Sequence, residues 1–254
     1  MPDTEDLAAD LATALRDGQI EAAYQPQISL KTGDVEAVEA LCRWHHPSMG
    51  EIDPATMVDL AENTGVIHEL GRFMLDDCLD LLESWRANGR DWELAVNVSP
   101  LQLVDEAFAR YVFDEFRRRG LAPASLTLEI TEKLPLLDAS AVVPRLRVLR
   151  EIGVGISLDE FGAGYASLER LENLPLTEVK LAGPLVRSTD PDRLGALRES
   201  VEVAHERGLR VVAEGIETQQ HLETAAELGC DRAQGFLISR PHPRAAVEQG
   251  VSVQ

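Results

Sequence analysis

GISLDEFGAGY, at positions 155–165, is an apolar segment that runs into two adjacent carboxylates and then into a glycine-rich turn. Such a run is typical of a buried parallel strand, which presents polar groups at its C-terminal end in α/β barrels and sheets. Because neighbouring acids repel each other, Asp159 and Glu160 indicate a compensating cation beside them. A loop that merely begins at Asp159 is the alternative, and the rest of the chain decides between the two.

Length and charge narrow the class of protein. The chain has 254 residues, 44% of them hydrophobic, and this matches the usual size of a (β/α)8 barrel. With 24 basic against 44 acidic residues, the net charge of −20 repels nucleic-acid backbones and anionic membranes. We therefore expect no polymeric nucleic-acid partner, whereas a small anionic substrate stays compatible if metal ions supply local positive charge.

Cysteine usage and hydropathy bear on location. Cys42, Cys78 and Cys230 are far apart and show no CxxC spacing, so we interpret them as reduced, mostly buried thiols. No apolar run is long enough to span a bilayer, and no secretory leader pattern is present. We expect a cytoplasmic protein without a membrane segment.

The predicted elements alternate between strand and helix. A helix over 5–18 precedes two strands, 23–30 and 35–44, which a turn at 31–34 joins as an antiparallel hairpin. After two more helices, a strand followed by a helix recurs six times. The two helices are 54–63 and 70–87; the six strands are 94–99, 126–131, 155–161, 178–181, 209–215 and 232–237; the helices after them are 100–119, 139–152, 167–174, 192–207, 219–228 and 244–249.

The hairpin and the six strand–helix units together supply eight strands. Strict alternation implies parallel strands joined by right-handed crossovers. We predict an α/β fold, a closed (β/α)8 TIM-like barrel with the first strand antiparallel, in one domain over residues 1–254. An open doubly wound sheet is the alternative.

Polar residues lie inside strands where apolar ones are expected. Buried carboxylates are costly unless they are paired or bound to metal, and any single one of them is explained by a salt bridge, such as Lys180 with Glu129. Together, however, four strands offer a carboxylate and a fifth an amide oxygen, against one lysine. Hard oxygen ligands in such excess suit Mg²⁺ or Mn²⁺. The residues are Glu39, Asn97, Glu129, Asp159, Lys180 and Glu214.

The chain resembles the EAL domain family of bacterial cyclic di-GMP signalling. The name motif stands at Glu39-Ala40-Leu41, and further motifs follow in the family's order and spacing over about residues 8–243. The resemblance implies a barrel that hydrolyses one phosphodiester of cyclic di-GMP to linear pGpG. The further motifs are Tyr24-Gln25-Pro26, Cys42-Arg43-Trp44, Asn97-Val98-Ser99, Glu129-Ile130-Thr131-Glu132, Asp159-Glu160-Phe161-Gly162, Val179-Lys180, Ala213-Glu214-Gly215-Ile216-Glu217-Thr218 and Gln234-Gly235-Phe236.

The resemblance also implies a site for two divalent ions, Mg²⁺ or Mn²⁺. Asp159 would bridge the two ions, and Glu160 and Glu214 would approach the second. Two ions about 3.5–4 Å apart activate water and neutralise an in-line transition state. The first ion would be held by Glu39, Asn97, Glu129 and Asp159.

Further roles follow from the same resemblance. Lys180 would orient and help activate the attacking water, and Gln234 would support the geometry of water and metal. Glu132 would anchor the loop after Asp159. The family commonly pairs barrels, so a homodimer is a further expectation. The dinucleotide would touch Gln25, Leu41, Arg43 and Glu217, with Arg43 reaching a phosphate.

Two positions depart from the family's pattern. The family usually has a second Asp where Glu160 stands, and an acid where Ala182 stands. A longer side chain displaces its carboxylate by roughly 1.5 Å, and a misplacement of that size costs about a hundredfold in rate. Three hypotheses stay open: a cyclic di-GMP phosphodiesterase, a cyclic di-GMP receptor with little turnover, and a barrel enzyme acting on another phosphodiester or an enolisable acid.

Overall fold

The computed structural model describes residues 4–131, 139–161 and 171–250 of the chain. The predicted loop anchor Glu132 lies outside the described residues, as does the glycine-rich turn that follows Phe161.

Strands and helices alternate along the described chain. The strands are β1 (Ile20–Ser29), β2 (Val35–His46), β3 (Gly50–Ile52), β4 (Glu93–Asn97), β5 (Leu126–Thr131), β6 (Gly155–Phe161), β7 (Glu178–Leu181), β8 (Arg210–Ala213), β9 (Arg232–Ala233) and β10 (His242–Pro243). The helices are α1 (Thr4–Arg16), α2 (Pro54–Thr64), α3 (Ile67–Ala87), α4 (Pro100–Val104), α5 (Glu106–Arg119), α6 (Ala139–Ile152), α7 (Gly183–Val186), α8 (Pro191–Glu206), α9 (Gln219–Leu228) and α10 (Arg244–Gln249).

Eight of these strands close into a barrel. From β2 through β4, β5, β6, β7 and β8 to β9, neighbouring strands pair in parallel. β1 closes the ring because it pairs antiparallel with β2 on one side and with β9 on the other, where Ile28 faces Ala233. The barrel with a reversed first strand is thereby confirmed, and the open-sheet alternative is wrong.

Local chemistry sets most element ends. Asp53 caps α2 by accepting a hydrogen bond from the backbone N–H of Thr56 at 3.0 Å, and Gly65 ends that helix in the left-handed region. The helix predicted over 100–119 is wrong as one element. It breaks at Asp105, whose backbone is extended and whose side chain caps α5 by accepting from the N–H of Ala107.

The strand predicted over 232–237 is also too long. The ladder ends after Ala233, because Gly235 lies directly against the backbone of Ile216 and the chain turns there. The strand predicted over 209–215 shortens to β8, since Gly215 takes a positive φ of 63°. Sequence reasoning did not predict the short edge strands β3 and β10.

The core lies between the outer face of the barrel and its helices. Leu75, Leu79 and Leu82 recur at helical spacing on α3 and are buried against the strands. A second cluster places Leu11 of α1 against Ile20 and Trp44. With the barrel wall packed from outside, the barrel interior is left to the polar side chains described below.

The three cysteines are unpaired; Cys42 is half-buried, and Cys78 and Cys230 are buried. Burial raises the pKa of the Cys42 thiol to about 12. In the part of the chain that the structure describes, no helix combines the length and the apolar character needed to cross a bilayer.

Candidate active site

Polar side chains from several parallel strands meet at the C-terminal end of the barrel. Register explains the meeting: Asn97 of β4 lies beside Glu129 of β5, and Thr131 lies beside Asp159 of β6. Side chains at matching heights on neighbouring strands face the same interior. We call this set the mouth cluster; it comprises Glu39, Asn97, Glu129, Asp159, Lys180 and Glu214.

Lys180 stands at the centre of the mouth cluster and is fully buried. Its Nζ lies 3.0 Å from an oxygen of Glu39, 3.0 Å from Glu129 and 2.8 Å from Glu214. A fourth carboxylate, that of Asp159, lies 4.0 Å away. Burial by itself lowers the pKa of a lysine, but these carboxylates outweigh it and raise the pKa of Lys180 well above its ordinary value. The surrounding carboxylates therefore favour the ammonium form of the side chain.

The carboxylates of the mouth cluster differ from one another in proton affinity. Burial and the negative charge of Glu39 raise the pKa of Glu129 well above its ordinary value. Burial also raises the pKa of Glu214, to about 7, although Lys180 opposes the shift. For Glu39 the balance reverses: burial is outweighed by Lys180 and by hydrogen bonds, and its pKa is lowered.

One oxygen of the mouth cluster has no partner. Glu129 is fully buried, and its Oε1 receives no hydrogen bond. Asn97 turns its amide nitrogen toward Glu39 Oε1 at 3.0 Å and Glu129 Oε2 at 3.4 Å. Rotating that amide by half a turn would present Oδ1 instead. A buried carboxylate oxygen without a hydrogen bond is costly, and it can serve as a ligand for a cation.

A chain of glutamines orders one side of the cluster. Gln234 donates to Glu39 Oε2 at 2.6 Å and to Gln25 at 3.1 Å, and it accepts from Gln27 at 2.9 Å. Sequence reasoning named Gln25 and Gln234 but missed Gln27, which is 1% exposed. The signal was available, because residues two apart on a strand share a face.

β6 carries a bulge at the two adjacent acids. Its pairing with β7 shifts register between Leu158 and Phe161, and Glu160 takes a positive φ of 58°. A non-glycine residue in that region is unusual, and bulges re-aim side chains near functional sites. The backbone N–H of Glu160 donates to Asp159 Oδ1 at 2.8 Å, which fixes the Asp159 carboxylate at the turn.

A cavity of about 370 Å³ opens beside the mouth cluster. It reaches Glu39 and Glu214 at its inner end, and the predicted substrate residues Gln25, Leu41 and Glu217 line it together with Gln234. Arg43 does not line this cavity; its guanidinium pairs with Glu51 at 3.3 Å. A larger cavity, about 670 Å³, lies at the opposite end of the barrel and contains no residue of the mouth cluster.

The mouth cluster fits divalent ions by its chemistry. As the described side chains stand, no three acidic, histidine or cysteine groups are already arranged around one ion. The reason is that the ammonium of Lys180 already pairs with one carboxylate oxygen of each of Glu39, Glu129 and Glu214. The unpaired oxygen of Glu129, the carboxylate of Asp159 and the amide of Asn97 are hard oxygen donors of the kind that Mg²⁺ and Mn²⁺ prefer.

Comparison with known proteins bears directly on this geometry. The sequence profile of the EAL domain matches residues 8–241 of the chain. The chain belongs to the EAL domain family. In this EAL domain, the motif that gives the family its name lies on β2 and supplies Glu39 to the mouth cluster.

Relatives of this EAL domain carry informative names. It is 38% identical over 240 residues to the bifunctional diguanylate cyclase/cyclic di-GMP phosphodiesterase MucR of Pseudomonas aeruginosa, covering 93% of this chain and 35% of that protein. It is 37% identical to the cyclic di-GMP phosphodiesterase NbdA of the same organism, covering 94% of this chain and 31% of that protein. The chain thus spans about a third of the length of these curated relatives.

A solved structure shows the same fold with its ligand. The structure described as the PaMucR phosphodiesterase in complex with c-di-GMP superposes with a TM-score of 0.88 at 38% identity. The match covers 95% of this chain and 99% of that one.

Proposed function

We propose that this EAL domain is a metal-dependent phosphodiesterase that hydrolyses one phosphodiester bond of cyclic di-GMP and releases linear pGpG. The observation that carries the proposal is the set of four carboxylates around one buried ammonium, at the inner end of a cavity. The names of the relatives support the substrate.

Two ions, Mg²⁺ or Mn²⁺, are proposed for the mouth cluster. When bound, they would supply Lewis acidity and neutralise the charge that develops on the phosphate. Asp159 would be shared between the two sites, and Glu160 and Glu214 would serve the second. The first site would be held by Glu39, Asn97, Glu129 and Asp159.

Lys180 contributes hydrogen bonds and charge. The carboxylates around it raise the pKa of Lys180, which favours the ammonium form. It would donate to the attacking water and hold that water in line with the phosphate. Gln234 would keep Glu39 in place from the other side, since it donates to Glu39 Oε2 and is itself held by Gln25 and Gln27.

Substrate binding is proposed for the cavity wall. Gln25, Leu41 and Glu217 line it, and each would contact the dinucleotide. Arg43 would bind a phosphate by breaking its ion pair with Glu51. The Glu51 side chain is 57% exposed, so water can solvate its carboxylate once the pair is broken.

A second candidate function is a cyclic di-GMP receptor with little turnover. Glu160 and Ala182 favour it: Glu160 stands on the bulge with a longer side chain than aspartate, and Ala182 places a methyl group next to α7, where an acid is usual in the family. Both changes concern the second ion rather than the cavity. Binding without hydrolysis is the expected behaviour of this candidate.

The deciding experiment is an incubation of the purified protein with cyclic di-GMP and Mn²⁺ or Mg²⁺, followed by chromatography of the products. We expect pGpG from the native protein and none from Glu39→Ala. Glu93→Gln, at the opposite end of the barrel, is the matched control and should keep the activity. Intact substrate together with binding in calorimetry would support the receptor, and absence of binding would support a barrel enzyme with another substrate.

A pair of restoring substitutions separates the first two candidates further. The double variant Glu160→Asp, Ala182→Asp should raise kcat by about a hundredfold if the native second ion site is impaired. A gain of that size is expected when a carboxylate that was displaced by one bond length returns to its place. An unchanged kcat would mean that the native residues suffice for turnover.

Location and assembly are part of the same proposal. The unpaired cysteines agree with a reducing cytoplasm. For a homodimer, the candidate contact residues are the exposed apolar side chains of Leu101, Val104 and Phe113 on α4 and α5, and of Val148 on α6. Analytical ultracentrifugation of the native protein and of Phe113→Asp tests this assembly.

A further inference from the structure

Arg187, directly after α7, crosses from one wall of the cavity to the loop that carries Glu214. We call residues 214–217, between β8 and Thr218, the 214–217 loop. Arg187 Nη1 donates to the carboxylate of Glu217 at 2.8 Å and to the carbonyl oxygen of Gly215 at 3.4 Å. Among the described residues that line the cavity, Arg187 is the only one with a positive charge.

The two sides of the 214–217 loop are held differently. Toward β9, the backbone N–H of Ile216 donates to Gln234 at 3.0 Å, and the carbonyl of Ile216 accepts from the N–H of Leu237 at 2.9 Å. Gly235 lies so close to Ile216 that an added Cβ would stand 2.2 Å from its backbone. This side is therefore a rigid backbone contact.

Toward α7, the loop meets a second close approach between glycines. An added Cβ on Gly183 would lie 3.2 Å from Gly215 Cα, and one on Gly215 would lie 2.9 Å from Arg187 Nη1. Gly215 also needs its positive φ of 63°. Because Gly183 and Gly215 have no side chain, they leave the space into which the Arg187 guanidinium fits.

We propose that Arg187 is a positioning residue for the ligand-binding wall: it clamps the 214–217 loop against α7 and fixes the place of Glu217 at the cavity. This inference takes its ligand, cyclic di-GMP, from the proposed function. Its effect falls on Glu217 rather than on Glu214, because the Glu214 carboxylate is held separately by Lys180 at 2.8 Å.

Two variants and a matched control test the clamp. Arg187→Ala removes both contacts, and Arg187→Lys keeps one cation that can reach Glu217. Arg193→Ala is the control, since Arg193 is 73% exposed and pairs at 3.6 Å with Asp190 on its own helix terminus. We expect Arg187→Ala to raise KM for cyclic di-GMP about tenfold, the effect of losing one charge-assisted hydrogen bond to a partly exposed partner, with kcat changed less than about threefold.

Partial rescue of KM by Arg187→Lys and no change in Arg193→Ala are expected as well. A fall in kcat with KM unchanged would overturn the proposal, because it would place Arg187 in the chemistry of the mouth cluster instead. An unchanged KM in Arg187→Ala would overturn it also.

Hydrogen–deuterium exchange without ligand provides a readout that does not depend on activity. Amides of residues 215–217 should exchange about tenfold faster in Arg187→Ala than in the native protein, since local opening becomes easier. Unchanged exchange would overturn the clamp even if KM rises. If the native protein neither cleaves nor binds cyclic di-GMP, the proposed function fails, whereas the exchange rates still decide whether the clamp exists.

Discussion

The two ends of the barrel differ in the ratio of acidic to basic side chains. The end opposite the mouth carries a set that we call the basal cluster: Glu36, Glu93, Glu178, Arg210 and Arg232. Arg210 lies 2.7 Å from Glu178 and 2.9 Å from Glu93, and Arg232 lies 2.9 Å from both Glu93 and Glu36. Three carboxylates thus share two guanidinium groups, and each acid has a direct partner.

The mouth cluster lacks this balance. There, four carboxylates share one ammonium, and a buried oxygen of Glu129 has no hydrogen bond. The difference appears in proton affinity. At the basal cluster, burial is outweighed by Arg232 and Arg210 and the pKa of Glu93 is lowered, whereas burial and Glu39 raise the pKa of Glu129. In the basal cluster each acid has a cationic partner, whereas the mouth cluster keeps an excess of buried acid, which is costly without further positive charge.

The largest expected effect concerns the ammonium at the mouth. Lys180→Met should lower kcat for pGpG formation by about a thousandfold, because the attacking water would lose the donor proposed for it and the acids lose their counter-charge. Lys31→Met, in an exposed turn, is the control and should leave kcat unchanged. Circular dichroism verifies folding of both. A folded Lys180→Met that keeps more than about a tenth of the rate would reduce Lys180 to a structural counter-ion.

The next effect comes from added cations. Mg²⁺ or Mn²⁺ at a hundredfold excess over its Kd should stabilise the native protein by about 2.7 kcal/mol relative to EDTA-treated protein, through preferential binding to the folded state. Glu129→Gln should lose most of this gain in thermal unfolding. Glu93→Gln should show the full gain, and an equal loss in both variants would remove the distinction between the two ends.

The basal cluster should respond as a stabilising network. Glu93→Gln is expected to lower the free energy of unfolding by about 2 kcal/mol near neutral pH, because two arginines lose a charged acceptor. The folded pKa of Glu93 lies below its ordinary value of 4.5, so its contribution is present above that pH and is lost as pH falls through the folded pKa. Urea unfolding at several pH values checks this, and the native and variant curves should converge in acid.

The smallest effect has the opposite sign. Glu129→Gln in metal-free protein should raise the free energy of unfolding by about 1 kcal/mol near neutral pH, because burial raises the pKa of Glu129 and its carboxyl group then disfavours folding relative to a neutral amide. In the native protein, the stabilising contribution of Glu129 is present at low pH and is lost as pH rises through the folded pKa of its carboxyl group. Urea unfolding in EDTA measures the change. A decrease in stability would show that Glu129 is balanced after all.

Sequence periodicity was sufficient for the repeating units. The bounds predicted at 126–131, 139–152, 155–161 and 219–228 agree with β5, α6, β6 and α9. These segments carry their own signals, namely apolar runs of strand length and helical spacing between turn residues. Prediction failed where a distant contact decides the outcome, as at Gly235, which meets Ile216 and ends β9 early.

The candidate site divides in the same way. Polar residues inside the strands were sufficient to predict that Glu39, Glu129 and Lys180 converge, because parallel strands share one end. Their roles in metal and substrate binding stay predictions. The partner of Arg43, the bulge at Glu160 and the contact of Arg187 with the 214–217 loop could not be predicted, since each depends on the spacing between two strands or loops.

By itself, the sequence determined the alternation of strands and helices, the reversed first strand and the excess of acid at one end of the barrel. It did so because local periodicity and chain order encode these features. Only the tertiary structure decided that Lys180 contacts three acids while one oxygen of Glu129 is left unpaired. Barrel closure sets these distances, and a difference of about 1 Å decides whether an oxygen is paired or unpaired.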